Sequence, residues 1–317
     1  MAESKPLVSI GMLVYNGETH IRQALDSLLA QEYKNFELII SDNASTDRTR
    51  DICLEYAVRD ERIRYYRNET NMGAIWNGNR VLELSSGEYF MWAAHDDYWN
   101  PRYIRLCLEA FSISEDVVLA GALCEGVDSE TGEPSCSFPG LSTVGLGPYA
   151  RLMRVGSMYS GNKGPHGLFY GVYKKSALRA VMPFKKIPPM IDQLLVAELS
   201  LQGEFVTIPE KLLFKRVRPV SISLQARART LGISQLHIWF RYEMLEVMWL
   251  RVIFQSDKLT LHERVKLAFW SLGKYFRLTI YDGPLPLLAY QTLLVLWPRA
   301  AMRARELWRN TAQGSSR

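Results

Sequence analysis

Between Leu7 and Ala94 short apolar runs alternate with segments of helical period, and this alternation restricts the fold more than any other feature. Leu7–Val14 has the composition of a strand, and the turn Tyr15-Asn16-Gly17-Glu18 follows it. Thr19–Ala30 then places Ile21, Ala24, Leu25, Leu28 and Leu29 at helical spacing. Phe36–Ile40 is the next strand, ending at Ser41-Asp42-Asn43-Ala44-Ser45 ahead of a helix over Thr46–Val58. Ile63–Tyr66 is a short strand, Asn71-Met72-Gly73 a turn, and Ile75–Leu84 a helix. Tyr89–Ala94, introduced by Ser86-Gly87, is a buried strand. Strands separated by helices imply βαβ units and a mainly parallel sheet. Polar pairs recur after the strands: Tyr15/Asn16, Asp42/Asn43 and Asp96/Asp97. In a parallel sheet these points lie along one edge, where ligands collect.

The last pair carries the most chemistry. Adjacent carboxylates repel unless something positive sits beside them. A hard divalent cation that also touches phosphate oxygens would serve, and a solvated turn is the plainer alternative. The chain has neither a GxxxxGK[ST] loop nor a GxGxxG after its first strand. A phosphate-bearing ligand would therefore be held through a metal rather than a glycine cradle. A Rossmann dehydrogenase is disfavoured for the same reason.

Net charge is +5 over 317 residues, but it is unevenly spread. Residues 1–210 carry 20 Lys+Arg against 27 Asp+Glu, and residues 211–317 carry 18 against 6. The basic back half suits an anionic membrane surface, and no recognised module supports nucleic-acid binding. Cys53, Cys107, Cys124 and Cys136 show no CxxC spacing, so zinc and a disulfide framework are not expected. Met1–Pro6 lacks the apolar stretch of a secretory signal, and Leu285–Trp297 is too short to span a bilayer. A cytoplasmic location is expected, peripheral on the inner face of the membrane.

Beyond Leu123, residues 126–165 are rich in Gly, Ser and Pro and read as a long acceptor-side loop. A strand is expected over Leu168–Tyr173, a helix over Asp192–Leu201, and closing strands over Phe205–Ile208 and Leu212–Arg216. Glu198 is expected on the exposed side of its helix. Lys215, Arg216 and Arg218 could face a diphosphate or form a solvated edge. Ile238, Tyr242, Leu245, Trp249 and Val252 recur at helical spacing, and Thr260 to Glu263 form a capping-box pattern before a helix over Glu263–Ile280. Pro298 opens a last helix bearing Arg299, Arg303, Arg305 and Arg309. Five of the eight Trp lie in this basic region, which suits a membrane interface, packing on the preceding domain, or contact with another subunit.

The opening VSIGMLVYNGETHIRQALDSLLAQEYKNFELIISDNASTDRT resembles that of family-2 glycosyltransferases. Asn71-x-Gly73, Asn79, Ser86-Gly87-Glu88-Tyr89 and Asp96-Asp97 with Pro101 continue the likeness in order, over roughly residues 7–215. The resemblance implies a GT-A fold: Rossmann-like α/β, a mainly parallel mixed sheet flanked by helices. Residues 1–222 would form that domain, and residues 223–317 a basic, amphipathic α-helical extension. It implies an inverting transferase moving a sugar from a nucleoside-diphosphate donor, most often UDP-linked, to a glycan or lipid-linked acceptor hydroxyl. Such activity belongs to cell-surface polysaccharide or glycolipid assembly. Tyr15, Asn16 and Glu18 would lie at the nucleotide-base turn, Asp42 would hydrogen-bond the base, and Asn71 and Gly73 would border the nucleotide. Asp96 would approach the ribose, Asp97 would ligate Mn2+ or Mg2+, and Asp192 would be the general base, although an N-cap role is compatible. His166 and Arg216 would contact acceptor or diphosphate. Ser41 stands where an Asp is commoner, His95 where a third acid is often found, and Gly78 where many members have Arg. The rival readings are a non-catalytic, membrane-associated sugar-nucleotide or glycan-binding protein and a nucleotidyltransferase. The second of these usually carries a Gly-rich basic loop where this chain has YNGE.

Overall fold

A computed structural model describes residues 5–158, 166–182, 191–217 and 241–281. The first half follows the sequence alternation: β1 (Val8–Val14), α1 (Ile21–Leu29), β2 (Phe36–Asp42), α2 (Thr49–Arg59), β3 (Ile63–Arg67), α3 (Ala74–Glu83) and β4 (Tyr89–Ala94). Next come β5 (Tyr98–Trp99), α4 (Tyr103–Ala110), β6 (Val117–Asp128), β7 (Pro134–Phe138) and α5 (Pro148–Met158). A 3₁₀ turn (His166–Tyr170), β8 (Val172–Lys174), α6 (Lys175–Val181), α7 (Ile191–Gln202) and β9 (Glu204–Val217) follow. Two further helices are α8 (Arg241–Gln255) and α9 (Leu261–Tyr281).

The strands form one mixed sheet in the order β3-β2-β1-β4-β8-β6-β9-β5, with β7 beside β6. β1 pairs in parallel with both β2 and β4, and β2 with β3, so these strands end on one edge. Side chains alternate between two cores, as strand geometry requires. Val8, Ile10, Met12 and Val14 of β1 pack with α1, α2 and α4 on one face. Phe90 and Trp92 of β4 turn to the other, meeting Val81 of α3, Val155 of α5, Leu195 of α7 and Trp249 of α8. α3 crosses close over β1: a methyl on Gly11 would come 2.7 Å from Val81 Cγ2, so only glycine fits.

Several expectations from the sequence are corrected. Residues 126–165 are not a continuous loop: β6 runs on to Asp128, turns into β7, and α5 follows. β7 (PSCSF) lies exposed beside β6 and shows no apolar alternation because almost none of it is buried. A 3₁₀ turn replaces the start of the strand expected over Leu168–Tyr173, and helix α6 was not anticipated. The two closing strands are one long strand, β9, whose register against β6 shifts between Ala122 and Cys124. Glu198 is half-buried rather than exposed; burial raises its carboxyl pKa, opposed by the nearby Arg251.

The inner faces of α8 and α9 pack on α5 and α7 through Leu245, Trp249, Val252, Ile253 and Leu267. Gly156 of α5 is the notch that admits them. A methyl there would come 2.5 Å from Trp270 and 3.1 Å from Trp249. The Lys274 ammonium of α9 donates to the Gly156 carbonyl in the last turn of α5, satisfying an acceptor that a helix end leaves open. The capping box forms as read: Thr260 N–H donates to Glu263 Oε2 at 2.8 Å, and Glu263 N–H to Thr260 Oγ1 at 3.3 Å. Among the described residues no helix is long and apolar enough to cross a membrane. The helix expected after Pro298 and the run Leu285–Trp297 lie outside the described residues.

Candidate active site

Three strand-end turns meet at the carboxyl edge of β1, β2 and β4. The turn after β1 is laced to the turn after β2 by backbone–side-chain hydrogen bonds. Asn16 N–H donates to Ser45 Oγ (2.9 Å), Gly17 N–H to Thr49 Oγ1 (2.7 Å) and Glu18 N–H to Asp47 Oδ2 (3.1 Å). In return, Asn16 Oδ1 accepts from Thr46 N–H (2.9 Å) and Glu18 Oε2 from Arg48 N–H (3.0 Å). Asn16 takes φ 50°, a left-handed conformation that asparagine tolerates, whereas Ala44 takes φ 64° at a cost of about 1–2 kcal/mol. Tyr15 stands exposed at this turn. Gly17 carries the turn against the third strand end, where a methyl would come 2.6 Å from His95 Cδ2.

Asp42 is turned into the protein rather than toward a base. Its Oδ1 accepts from Ser45 N–H (2.8 Å) and its Oδ2 from the Tyr65 hydroxyl (2.6 Å), with Arg67 3.6 Å away. The side chain is fully buried and both of its oxygens are engaged within the protein, where they shape the turn. Burial and Asp42 together raise the Tyr65 phenol pKa, which keeps it a donor.

Asn71 and Gly73 belong to an asparagine network that sequence reasoning missed. Asn71 Oδ1 accepts from Asn43 Nδ2 (2.7 Å) and from Gly73 N–H (2.9 Å). Asn43 Oδ1 accepts from Asn68 Nδ2 and Met72 N–H, both at 2.9 Å. Asn77 accepts from Ser41 Oγ at 2.6 Å and returns a bond to the Ser41 carbonyl at 2.8 Å. Gly73, at φ 85°, lets the loop turn into α3. The available signal was compositional: Asn43, Asn68, Asn71 and Asn77 all fall in the two turns and the first turn of α3.

Asp96 and Asp97 occupy different environments. Asp97 is 1% exposed; its Oδ1 accepts Arg216 N–H at 2.9 Å, and its Oδ2, without a hydrogen-bond partner, faces Lys215 Nζ at 3.5 Å. Burial pushes the Asp97 carboxyl pKa up and the ammonium pulls it back. Lys215 sits 4.6 Å over the Tyr170 ring, and Tyr170 and Asp97 raise its pKa against the effect of burial. The pair is therefore internally neutralised, with Asp97 out of solvent and the Lys215 side chain 26% exposed. An ion at that carboxylate would compete with Lys215 for it. Asp96 is half-buried, less enclosed than Asp97 beside it. Among the described residues no group of three or more acidic, His or Cys side chains could enclose an ion. A cation that draws most of its oxygens from a diphosphate needs only one or two carboxylates, so Asp96 fits that arrangement.

β9 brings its end to the same place. Arg216 bonds Gln23 through its guanidinium, which also lies 5.8 Å from the Tyr98 ring. α7 leads through Gly203 into β9 and packs beside the 3₁₀ turn. Asp192 is half-buried in the first turn of α7. His166 opens the 3₁₀ turn that carries Tyr170; its side chain and Arg218 lie outside the described residues.

Comparison with known proteins adds four likenesses. Residues 9–162 match the model described as glycosyl transferase family 2. The putative teichuronic acid biosynthesis glycosyltransferase TuaG of Bacillus subtilis is 38% identical over 109 residues, 34% of this chain and 43% of TuaG. The chain thus spans less than half the length of the curated relatives it matches. Among solved structures, S. aureus TarS 1–349 in complex with UDP-GlcNAc superposes with a TM-score of 0.64 at 18% identity, covering 89% of this chain and 76% of that one. The mannosyltransferase PcManGT from Pyrobaculum calidifontis, in complex with GDP-Man and Mn2+, gives 0.56 at 18% identity over 98% and 85%. At these identities the structural likeness concerns the fold.

Proposed function

Residues 9–162 belong to glycosyl transferase family 2 and the fold is GT-A; from that premise we propose that the chain moves a sugar from a nucleoside-diphosphate donor to an acceptor hydroxyl, with inversion. The observation that carries the reading is the meeting of three strand-end turns at one edge, with a rim carboxylate at Asp96, inside the family-matched segment. Tyr15, Asn16, Glu18, Asn71 and Gly73 form the nucleotide side, with Asp42 behind them as a brace. The TarS complex with UDP-GlcNAc favours a UDP donor, and the GDP-Man complex of PcManGT keeps guanine as the second choice.

Asp96 would hold Mn2+ or Mg2+ against the diphosphate, where the ion supplies positive charge to the leaving group. Asp192 takes the proton from the acceptor hydroxyl as that oxygen attacks the anomeric carbon. One displacement without a protein nucleophile inverts that centre. Arg216 adds positive charge beside the diphosphate, and His166 is assigned to acceptor or diphosphate. The acceptor is a growing glycan, free or lipid-linked, in cell-surface polysaccharide assembly; the likeness to TuaG supports that class. Residues 1–222 act as the catalytic domain and the basic remainder as its attachment.

The test is a thermal-shift panel of UDP, GDP, dTDP and CMP, each with Mn2+ and with chelator. A ligand at a hundred times its Kd stabilises the folded state by about 2.7 kcal/mol. One nucleotide should raise Tm only with metal, and Asp96→Asn should abolish that rise. Asp192→Asn should keep the rise and lose turnover. No shift with any nucleotide would sink the donor site. Equal turnover in Asp192→Asn would remove the base assignment, whereas nucleotide binding without any turnover in the wild type would favour the binding-protein alternative.

A further inference from the structure

The α8–α9 pair carries a concentrated share of the exposed large apolar side chains. They are Val247 (64% exposed), Phe254 (47%), Leu261 (73%), Val265 (41%) and Phe269 (74%). Val247, Arg251 and Phe254 fall on one stripe of α8, and Leu261, Val265 and Phe269 on successive turns of α9. The opposite sides of both helices are buried against α5 and α7, so both stripes point away from the sheet. Arg264 does not cover them. It turns inward and donates to the carbonyls of Phe254 (3.2 Å), Ser256 (2.6 Å) and Leu259 (3.0 Å), fixing the corner between the helices.

The charge around this face has one dominant sign. Among the described side chains of the pair, Arg251, Lys258 and Lys266 are exposed and basic, against Asp257 alone. Glu246 hydrogen-bonds Ser271, while Glu263, hydrogen-bonded to Thr260, keeps its negative charge at the start of α9. We infer that this face lies in the plane of an anionic lipid surface. Phe254, Leu261, Val265 and Phe269 enter the boundary between headgroups and acyl chains, while Arg251, Lys258 and Lys266 meet the headgroups. Charge complementarity selects a bilayer over a second copy of the chain, because a two-fold contact would set the same basic side chains against one another. The inference stands on these helices alone and is independent of the transferase reading.

The experiment is flotation of the full chain with vesicles of phosphatidylglycerol and phosphatidylcholine, and with phosphatidylcholine alone. Wild type should float with the anionic vesicles only. The double variant Leu261→Glu/Phe269→Glu should lose about tenfold or more of that binding, since two apolar side chains leave the boundary. Val58→Glu, at an exposed apolar position elsewhere, should bind as wild type does. The double variant should keep the Tm of the wild type and its nucleotide response, which separates loss of the face from misfolding and from failure of the donor site. Flotation of wild type with neither vesicle, or equal flotation of the double variant, would overturn the inference. So would a sedimenting dimer that the double variant dissociates.

Discussion

Asp97 is 1% exposed against Lys215, while Asp96 beside it stays half-buried at the rim. Breaking a buried pair by removing one member strands the other charge, at about 3–5 kcal/mol, whereas removing both costs much less. Lys215→Met should therefore lower stability by roughly 3 kcal/mol, and adding Asp97→Asn should restore about 1–3 kcal/mol of that loss. Urea unfolding of the two single variants and the double variant measures the coupling. Strictly additive losses would show that Lys215 and Asp97 are not a pair. Sequence reading found the two aspartates at this turn but not their unequal burial. Nothing within a few residues of Asp97 marks it for burial; its partners are on β9.

At the scale of the element, Glu37 shows how one side chain fastens several strands. From β2 it accepts from Ser9 Oγ on β1 (2.7 Å) and Arg64 on β3 (2.8 Å). It also accepts from Ser86 N–H (2.7 Å) and Oγ (2.6 Å) just before β4. Burial pushes its carboxyl pKa up, but these bonds outweigh burial and hold it near about 2 instead of 4.5. A folded pKa below the unfolded one means stability present above pH 4.5 and lost as pH falls from there toward 2. Glu37→Gln should cost about 1–2 kcal/mol at neutral pH, discounted for the solvent around Arg64, and should flatten the acid limb. Denaturant midpoints at pH 7, 4 and 2.5 test this; an unchanged acid limb would count against it. The sequence displays elements that bury a face, such as β1 and α1. It hides β7, whose residues stay in solvent, and the 3₁₀ turn at His166–Tyr170, whose short apolar run imitates a strand.

Across the whole molecule, α8 and α9 are continuous with the core on one face of the sheet. Ending the chain after Val217 would uncover Leu152, Val155 and Leu195 and leave the Gly156 notch without its two tryptophans. Losing several buried side chains at about 1.5–3 kcal/mol each exceeds what a marginally stable fold tolerates. The truncated chain is expected to aggregate, or to melt at least about 10 °C below the full one. A soluble fragment with the full chain's Tm would show that α8 and α9 contribute nothing to that core. The same pair then has two separate uses: its inner face completes the fold and its outer face meets lipid.

Local pattern alone determined much of this protein. The strand–helix alternation, the turn after each strand, the capping box at Thr260 and the recurrence of polar pairs at one edge all follow from neighbours in the chain, where side-chain period and backbone conformation are decided. Tertiary structure alone decided which groups those turns leave open. Asp42 is consumed by Tyr65, Asp97 is met by Arg216 from 119 residues away, and Gly156 admits Trp249 and Trp270 from helices far along the sequence. Burial and charge pairing are non-local, so the difference between Asp96 and Asp97 exists only once β9 has paired with β5.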